Sequence, residues 1–203
     1  MEKITNIMDF IKAEYFSWYD IKAINASPAK GILYVTKNSP HFLSGQVRLR
    51  GRNHGRYPFN YLEMIDNIFG REDNVIEVCS GSVSCERCYT VDINPNVKPA
   101  LVDDGQTLNK IADSKFKRWR CDPPYNLNTA RKMYGTGLPD SGRLLKAGAR
   151  VCEEGALMFL LLGPQTRQMC PPGVQWVGWI PMSIVPNNEH RVLHIYYKHA
   201  DGI

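Results

Sequence analysis

Two adjacent prolines, Pro123 and Pro124, stand between an aspartate and a tyrosine just past the middle of a 203-residue chain. Neither donates a backbone hydrogen bond, and each holds the residue before it extended. The run FKRWRC at 116–121 therefore reads as a strand that must stop at Asp122. Stopping there aims the Asp122 carboxylate and the neighbouring carbonyls out of the sheet edge, beside the flat ring of Tyr125. Acceptor oxygens next to an aromatic face suit a planar ring with an exocyclic NH2. The oxygens accept the amine protons and the ring stacks on the base.

The rest of the chain alternates between strand and helix patterns. Apolar residues at three- and four-residue spacing predict helices over 3–24, 58–69 and 141–153, with Pro58 in the first turn of the second. Strands are expected over 31–36, 74–79, 88–93, 101–105, 116–121 and 156–162. A closing antiparallel pair is expected at 174–180 and 190–198. Such alternation implies an α/β fold, a mostly parallel sheet with a C-terminal antiparallel hairpin and helices on both faces. Ligands then bind at the carboxyl ends of the strands.

Four of those ends carry distinctive residues: Ser80-Gly81-Ser82, Asp92, Asp103-Asp104 and the Asp122 tetrapeptide. A small-residue turn admits a charged tail, and a following acid bonds ribose hydroxyls. The set suits an adenosine-like ligand, with Asp104 on the adenine side.

Bulk properties narrow the partner only slightly. The formal net charge is +5, compatible with a polyanion. The most basic stretch, 45–56, interleaves Arg48, Arg50 and Arg52 with glycines and is expected to act as an arm on phosphates. The N-terminus lacks a basic-then-apolar leader, and no apolar run is long enough to span a bilayer. A cytoplasmic, reducing location and six thiols (Cys79, Cys85, Cys88, Cys121, Cys152, Cys170) are the expectation. One CxxC, at 85–88, has no second ligand pair, so no metal is expected. The chain is expected to form a single domain, with 1–56 as an N-terminal extension and 57–203 as the core. His190, His194 and His199 read as structural or surface residues.

Asp122-Pro123-Pro124-Tyr125 resembles the (D/N/S)PP(Y/F/W) signature of the amino-methyltransferases that act on adenine N6 or cytosine N4 in DNA. These belong to the class I S-adenosylmethionine-dependent methyltransferases, whose sheet is Rossmann-like. The resemblance covers about residues 58–198. It implies that Asp122, Pro123, Pro124 and Tyr125 are catalytic. It implies S-adenosylmethionine as cofactor, held by Pro58, Glu77, Cys79, Ser80, Gly81, Ser82, Asp92 and Asp104. Asn126 and Tyr134 would line the target pocket. Three differences stand out, one of them the charge carried by the 116–121 run, neither face of which is cleanly apolar where a central strand is expected to be. Val83 occupies the place of the family's second loop glycine, and the stretch between the first two strands is too short for the usual helix. The implied substrate is a DNA base amine, adenine N6 ahead of cytosine N4. RNA is the alternative substrate, and a non-catalytic nucleic-acid-binding relative is the alternative of another class.

Overall fold

The computed structural model describes residues 57–58, 61–83, 86–164, 169–185 and 189–199. It also describes the backbone of five short strands nearer the N-terminus: β1 (Ile24–Ala26), β2 (Ala29–Gly31), β3 (Tyr34–Val35), β4 (Leu43–Ser44) and β5 (Val47–Arg50). The helix expected over 3–24 lies outside these residues apart from Ile24, which opens β1. The strand expected over 31–36 is divided: Gly31 ends β2, and Tyr34 and Val35 form β3.

The remaining elements are α1 (Tyr61–Phe69), β6 (Val75–Val78), β7 (Cys88–Asp92), β8 (Leu101–Val102), β9 (Phe116–Cys121), a short α2 (Leu127–Thr129), α3 (Ser141–Val151), β10 (Cys152–Leu162), β11 (Val174–Val185) and β12 (Glu189–Lys198). One eight-stranded sheet has the order β5-β11-β12-β10-β9-β6-β7-β8. Strands β6 to β10 pair in parallel, and β12 lies antiparallel between β10 and β11. This is the mixed, Rossmann-like sheet the alternation predicts. The chain steps outward from β6 through β7 to β8, then returns to the other side of β6 at β9. That reversal is a topological switch point, where open α/β sheets bind ligands.

Strand β10 explains how the sheet is covered. Leu157, Phe159 and Leu161 join one buried cluster with Tyr61, Met64, Ile65, Ile68 and Phe69 of α1. Ala156, Met158, Leu160 and Leu162 join a second with Leu144, Leu145 and Val151 of α3. The alternation is hidden in the sequence because both faces are buried, so the strand reads as a continuous apolar run. It also begins earlier than expected, at Cys152, and passes an irregularity between Cys152 and Leu157 where Gly155 has a φ of +87°. Gly155 therefore sits inside a strand.

Strand β9 looks too charged for a central position, yet its arginines are accommodated. Arg118 Nη1 donates to the Gly70 carbonyl (2.8 Å) and to Asp66 (3.2 Å), and Nη2 to the Phe69 carbonyl (3.4 Å). These carbonyls close α1, where a cation is favoured. Arg120 pairs through Nε with Glu77 and lies 3.6 Å from Asp66. Trp119 and Cys121, on the other face, are fully buried in the α3-side cluster.

The basic stretch is partly visible. Val47–Arg50 forms β5, an edge strand parallel to β11. The backbone of Arg48 and Arg50 is thus part of the sheet rather than a loose arm, because an extended segment beside β11 gains ladder hydrogen bonds. Arg52 lies outside the described residues. Among the described residues no helix is long and apolar enough to cross a membrane.

Candidate active site

Pairing in the sheet brings the two motif segments together. Val78 at the end of β6 is in register with Cys121 at the end of β9. The next residue on one strand is Cys79, which opens the small-residue turn, and on the other it is Asp122. The Asp122 amide donates to the Val78 carbonyl at 3.4 Å. An open cleft lies beside this junction, lined by Cys79, Asp92, Ile93, Asp104, Gly105, Gln106, Pro124, Tyr134, Thr136, Leu138 and Leu144, among others.

The turn after β6 is tightly tied. The Ser80 amide donates to the Val91 carbonyl (3.1 Å), and the Gly81 amide donates to Asp92 Oδ2 (2.8 Å). Asp92 Oδ1 accepts from the Asn94 amide at 2.8 Å. A carboxylate has about four lone-pair sites, so this buried acid retains acceptor capacity toward the cleft. Both Cys79 and Gly81 have a φ of +53°, a left-handed backbone that costs Cys79 local strain. Gly105 closes the other side. A Cβ there would stand 2.5 Å from Val78 Cγ1, so only glycine lets the segment after β8 approach the end of β6 so closely. Val83, in place of the second loop glycine, packs instead against the α1-side cluster.

Asp104 lines the cleft while its Oδ1 caps the Gln106 amide (2.9 Å). Its neighbour Asp103 is spent within the loop, accepting from the Asp104 and Lys110 amides. Tyr134 also lines the cleft, and burial pushes its hydroxyl up to about 12, with the Asp92, Cys79 and Asp122 charges adding to the effect. Its hydroxyl is therefore neutral at the cleft wall.

Other expected cofactor residues lie outside the cleft lining. Glu77 is fully buried on the α1 face, accepting from Tyr57 Oη (2.9 Å) and paired with Arg120. Burial raises its carboxyl against the opposing pull of Arg120. Pro58 is buried ahead of α1, its carbonyl accepting the Tyr61 amide (3.1 Å). Ser80 and Gly81 are buried in the turn and Ser82 is exposed.

In the tetrapeptide, Pro123 is buried, Pro124 borders the cleft and Tyr125 is exposed. Asn126 caps the short α2 by accepting the Thr129 amide (2.7 Å), which satisfies a helix-terminal donor. The group no motif reveals is Arg191 of β12. Its Nη2 donates to Asp122 Oδ1 at 2.5 Å, and its guanidinium carbon stands 4.0 Å from the Tyr125 ring centroid. The available sequence signal is an arginine at the head of a buried apolar strand, which must have a partner.

Cys79, Cys121, Cys152 and Cys170 are thiols, as expected. Cys88 is not, since it is disulfide-bonded. The thiol expectation came from compartment alone, which does not determine bonding geometry at one position. Cys88 Sγ also accepts from Arg120 Nη2 at 3.0 Å. Among the described residues no cluster of three or more metal-ligating side chains occurs.

No protein-family model matches the chain, and no curated protein matches it. Solved structures similar to it include TrmN from Thermus thermophilus, at 15% identity and a TM-score of 0.49, with 68% of this chain covered. The match spans 46% of TrmN, so this chain corresponds to less than half of that protein. The antibiotic-resistance methyltransferase Kmr is 11% identical with a TM-score of 0.41, covering 73% of this chain and 98% of that one. A 16S rRNA (adenine(1408)-N(1))-methyltransferase from Catenulisporales acidiphilia is 11% identical with a TM-score of 0.40, covering 65% and 90%. Likeness this distant says nothing of substrate.

Proposed function

We propose that the chain is an S-adenosylmethionine-dependent methyltransferase acting on an exocyclic amine of a nucleic-acid base, with adenine N6 in DNA as the leading target. The observation that carries this reading is the Val78–Cys121 register, which sets the small-residue turn and the Asp122 tetrapeptide side by side at one cleft. The residues present fit the cofactor. Asp92 keeps acceptor capacity for a ribose diol, Gly105 lines the same cleft, and Asp104 and Gln106 offer polar groups to an adenine edge.

Bound there, S-adenosylmethionine supplies an electrophilic methyl group. The protein's own residues position and desolvate the nucleophile. A base amine is a poor nucleophile because its lone pair is delocalised into the ring. Hydrogen bonds from its N–H groups to the Asp122 carboxylate and the Pro123 carbonyl favour a pyramidal nitrogen and stabilise the positive charge developing on it. Tyr125 stacks on the base, which offsets the few kcal/mol of taking it out of a duplex. Arg48 and Arg50 on the edge strand and Arg52 beyond it are the proposed phosphate contacts.

Labelled methyl transfer to DNA and to RNA, followed by nucleoside analysis, tests the reading. The expected product is N6-methyladenine in DNA. Asp122→Ala should lower turnover about 10²- to 10³-fold, the scale of losing one preorganised polar partner, with cofactor affinity nearly unchanged. Label confined to RNA moves the substrate to the alternative polymer. Undiminished turnover in the folded Asp122→Ala chain overturns the assignment.

A further inference from the structure

We infer that Arg191 is the positioning residue of the amine-holding site. Its guanidinium fixes Asp122 by one oxygen and covers one side of Tyr125. The second carboxylate oxygen and the uncovered part of the ring are then what a base meets. The inference deepens the methyl-transfer reading and rests on it.

The hold has four points. Nη2 donates to Asp122 Oδ1 (2.5 Å) and to the Leu161 carbonyl (3.2 Å), and Nε donates to the Leu162 carbonyl (3.3 Å). The cation lies against the Tyr125 ring. Leu161 and Leu162 end the buried strand β10, and Arg191 itself is 5% exposed. A guanidinium bonded to two carbonyls of a central strand is preorganised and does not swing with the ligand. It transmits the rigidity of β10 and β12 to a tetrapeptide whose prolines make no ladder bonds of their own.

The consequence for recognition is geometric. With Oδ1 engaged, the side chain offers Oδ2, and together with the Pro123 carbonyl this makes two acceptors for the two hydrogens of one amine. Tyr125 remains 37% exposed with the cation on one side, so stacking is confined to what is left. Arg191 also opposes protonation of the acceptor. Burial pushes the Asp122 carboxyl up and Arg191 pulls it back. Tyr57, Tyr61, Cys121 and Tyr134 share its electrostatic surroundings. Burial raises all four, so they stay neutral and leave Arg191 as the opposing cation. A protonated Asp122 would present O–H where the amine presents N–H.

The test compares Arg191→Gln and Arg191→Lys. The lysine variant keeps a buried charge opposite Asp122 and guards against misfolding of the first. Carbon-13 NMR titration of the Asp122 carboxyl, identified by its loss in Asp122→Asn, is independent of turnover. Arg191→Gln should raise that midpoint by about one pH unit or more and move the acid limb of the kcat/KM profile in the same direction. Arg191→Lys should leave the midpoint near its wild-type value. It should still lower kcat about 10- to 100-fold at unchanged cofactor affinity, because an ammonium lacks the planar fork. An unmoved Asp122 midpoint in Arg191→Gln, or full turnover in Arg191→Lys, overturns the role of Arg191 while leaving methyl transfer standing. Absence of transfer by the wild-type chain overturns the function itself.

Discussion

At the residue scale, three carboxylates in three settings do three jobs. Asp92 ties the small-residue turn to its own strand and keeps acceptor capacity at the cleft. Asp122 is held by Arg191. Glu77 never reaches the cleft and neutralises Arg120 beneath the sheet. The position of Asp92 was legible from sequence because it belongs to an ordered set of four distinctive strand ends. The partners of Glu77 and Asp122 were not, since Arg120 and Arg191 lie 43 and 69 residues away and only the sheet register unites them. Glu77→Ala removes the fully buried partner of Arg120, leaves it only the part-exposed Asp66 at 3.6 Å, and should cost about 3–5 kcal/mol, read from urea unfolding. A loss below about 1 kcal/mol contradicts the buried pairing. His194 yields a pH prediction. Burial lowers its imidazole to about 4 from the usual 6.5, so the fold prefers it neutral. Its contribution is therefore complete above pH 6.5 and is lost as pH falls from 6.5 toward 4, a total of about 3 kcal/mol at 1.36 kcal/mol per unit. Asp66, Glu77 and Asp122 are raised by burial and contribute the opposite slope. Comparing wild type with His194→Gln isolates the histidine, and identical slopes contradict its buried, neutral state.

At the element scale, β9 was the hardest strand to credit from sequence. Its six residues carry three basic side chains, and neither face is apolar. The fold resolves this by giving Arg118 the carbonyls at the end of α1 and Arg120 the carboxylate of Glu77. Those acceptors cannot be assigned until α1 is known to lie across that face. The α3 face has a companion signal in Gly148, a glycine inside a helix. A Cβ there would stand 2.8 Å from the Trp119 ring and 2.9 Å from Met158 Cε. The missing side chain lets α3 sit directly on the indole. Gly148→Ala should therefore destabilise the chain by about 1–3 kcal/mol through overpacking, against the gain in helix propensity expected at an exposed site. A rise in Tm would show that α3 does not pack as described.

At the scale of the whole molecule, the succession of helices and strands along the chain was more legible than the contacts between them. Alternating helix and strand patterns, with acids and small residues at successive strand ends, pointed to an α/β sheet with its ligand at the carboxyl edge. The sheet is of that kind, with the cleft beside its reversal point. What sequence hid was the closing pair's contribution. The strand β12 reads as an apolar hairpin arm, yet it delivers Arg191 to the tetrapeptide from the far side of β10. The most direct test of the account is a calorimetric titration with S-adenosylmethionine, using the wild-type chain, Asp92→Asn and Asp122→Asn. One equivalent should bind the wild type, at least tenfold more weakly with Asp92→Asn and almost equally with Asp122→Asn. No heat of binding in the wild type, or equal affinity in the Asp92 variant, would contradict the cleft as the cofactor site.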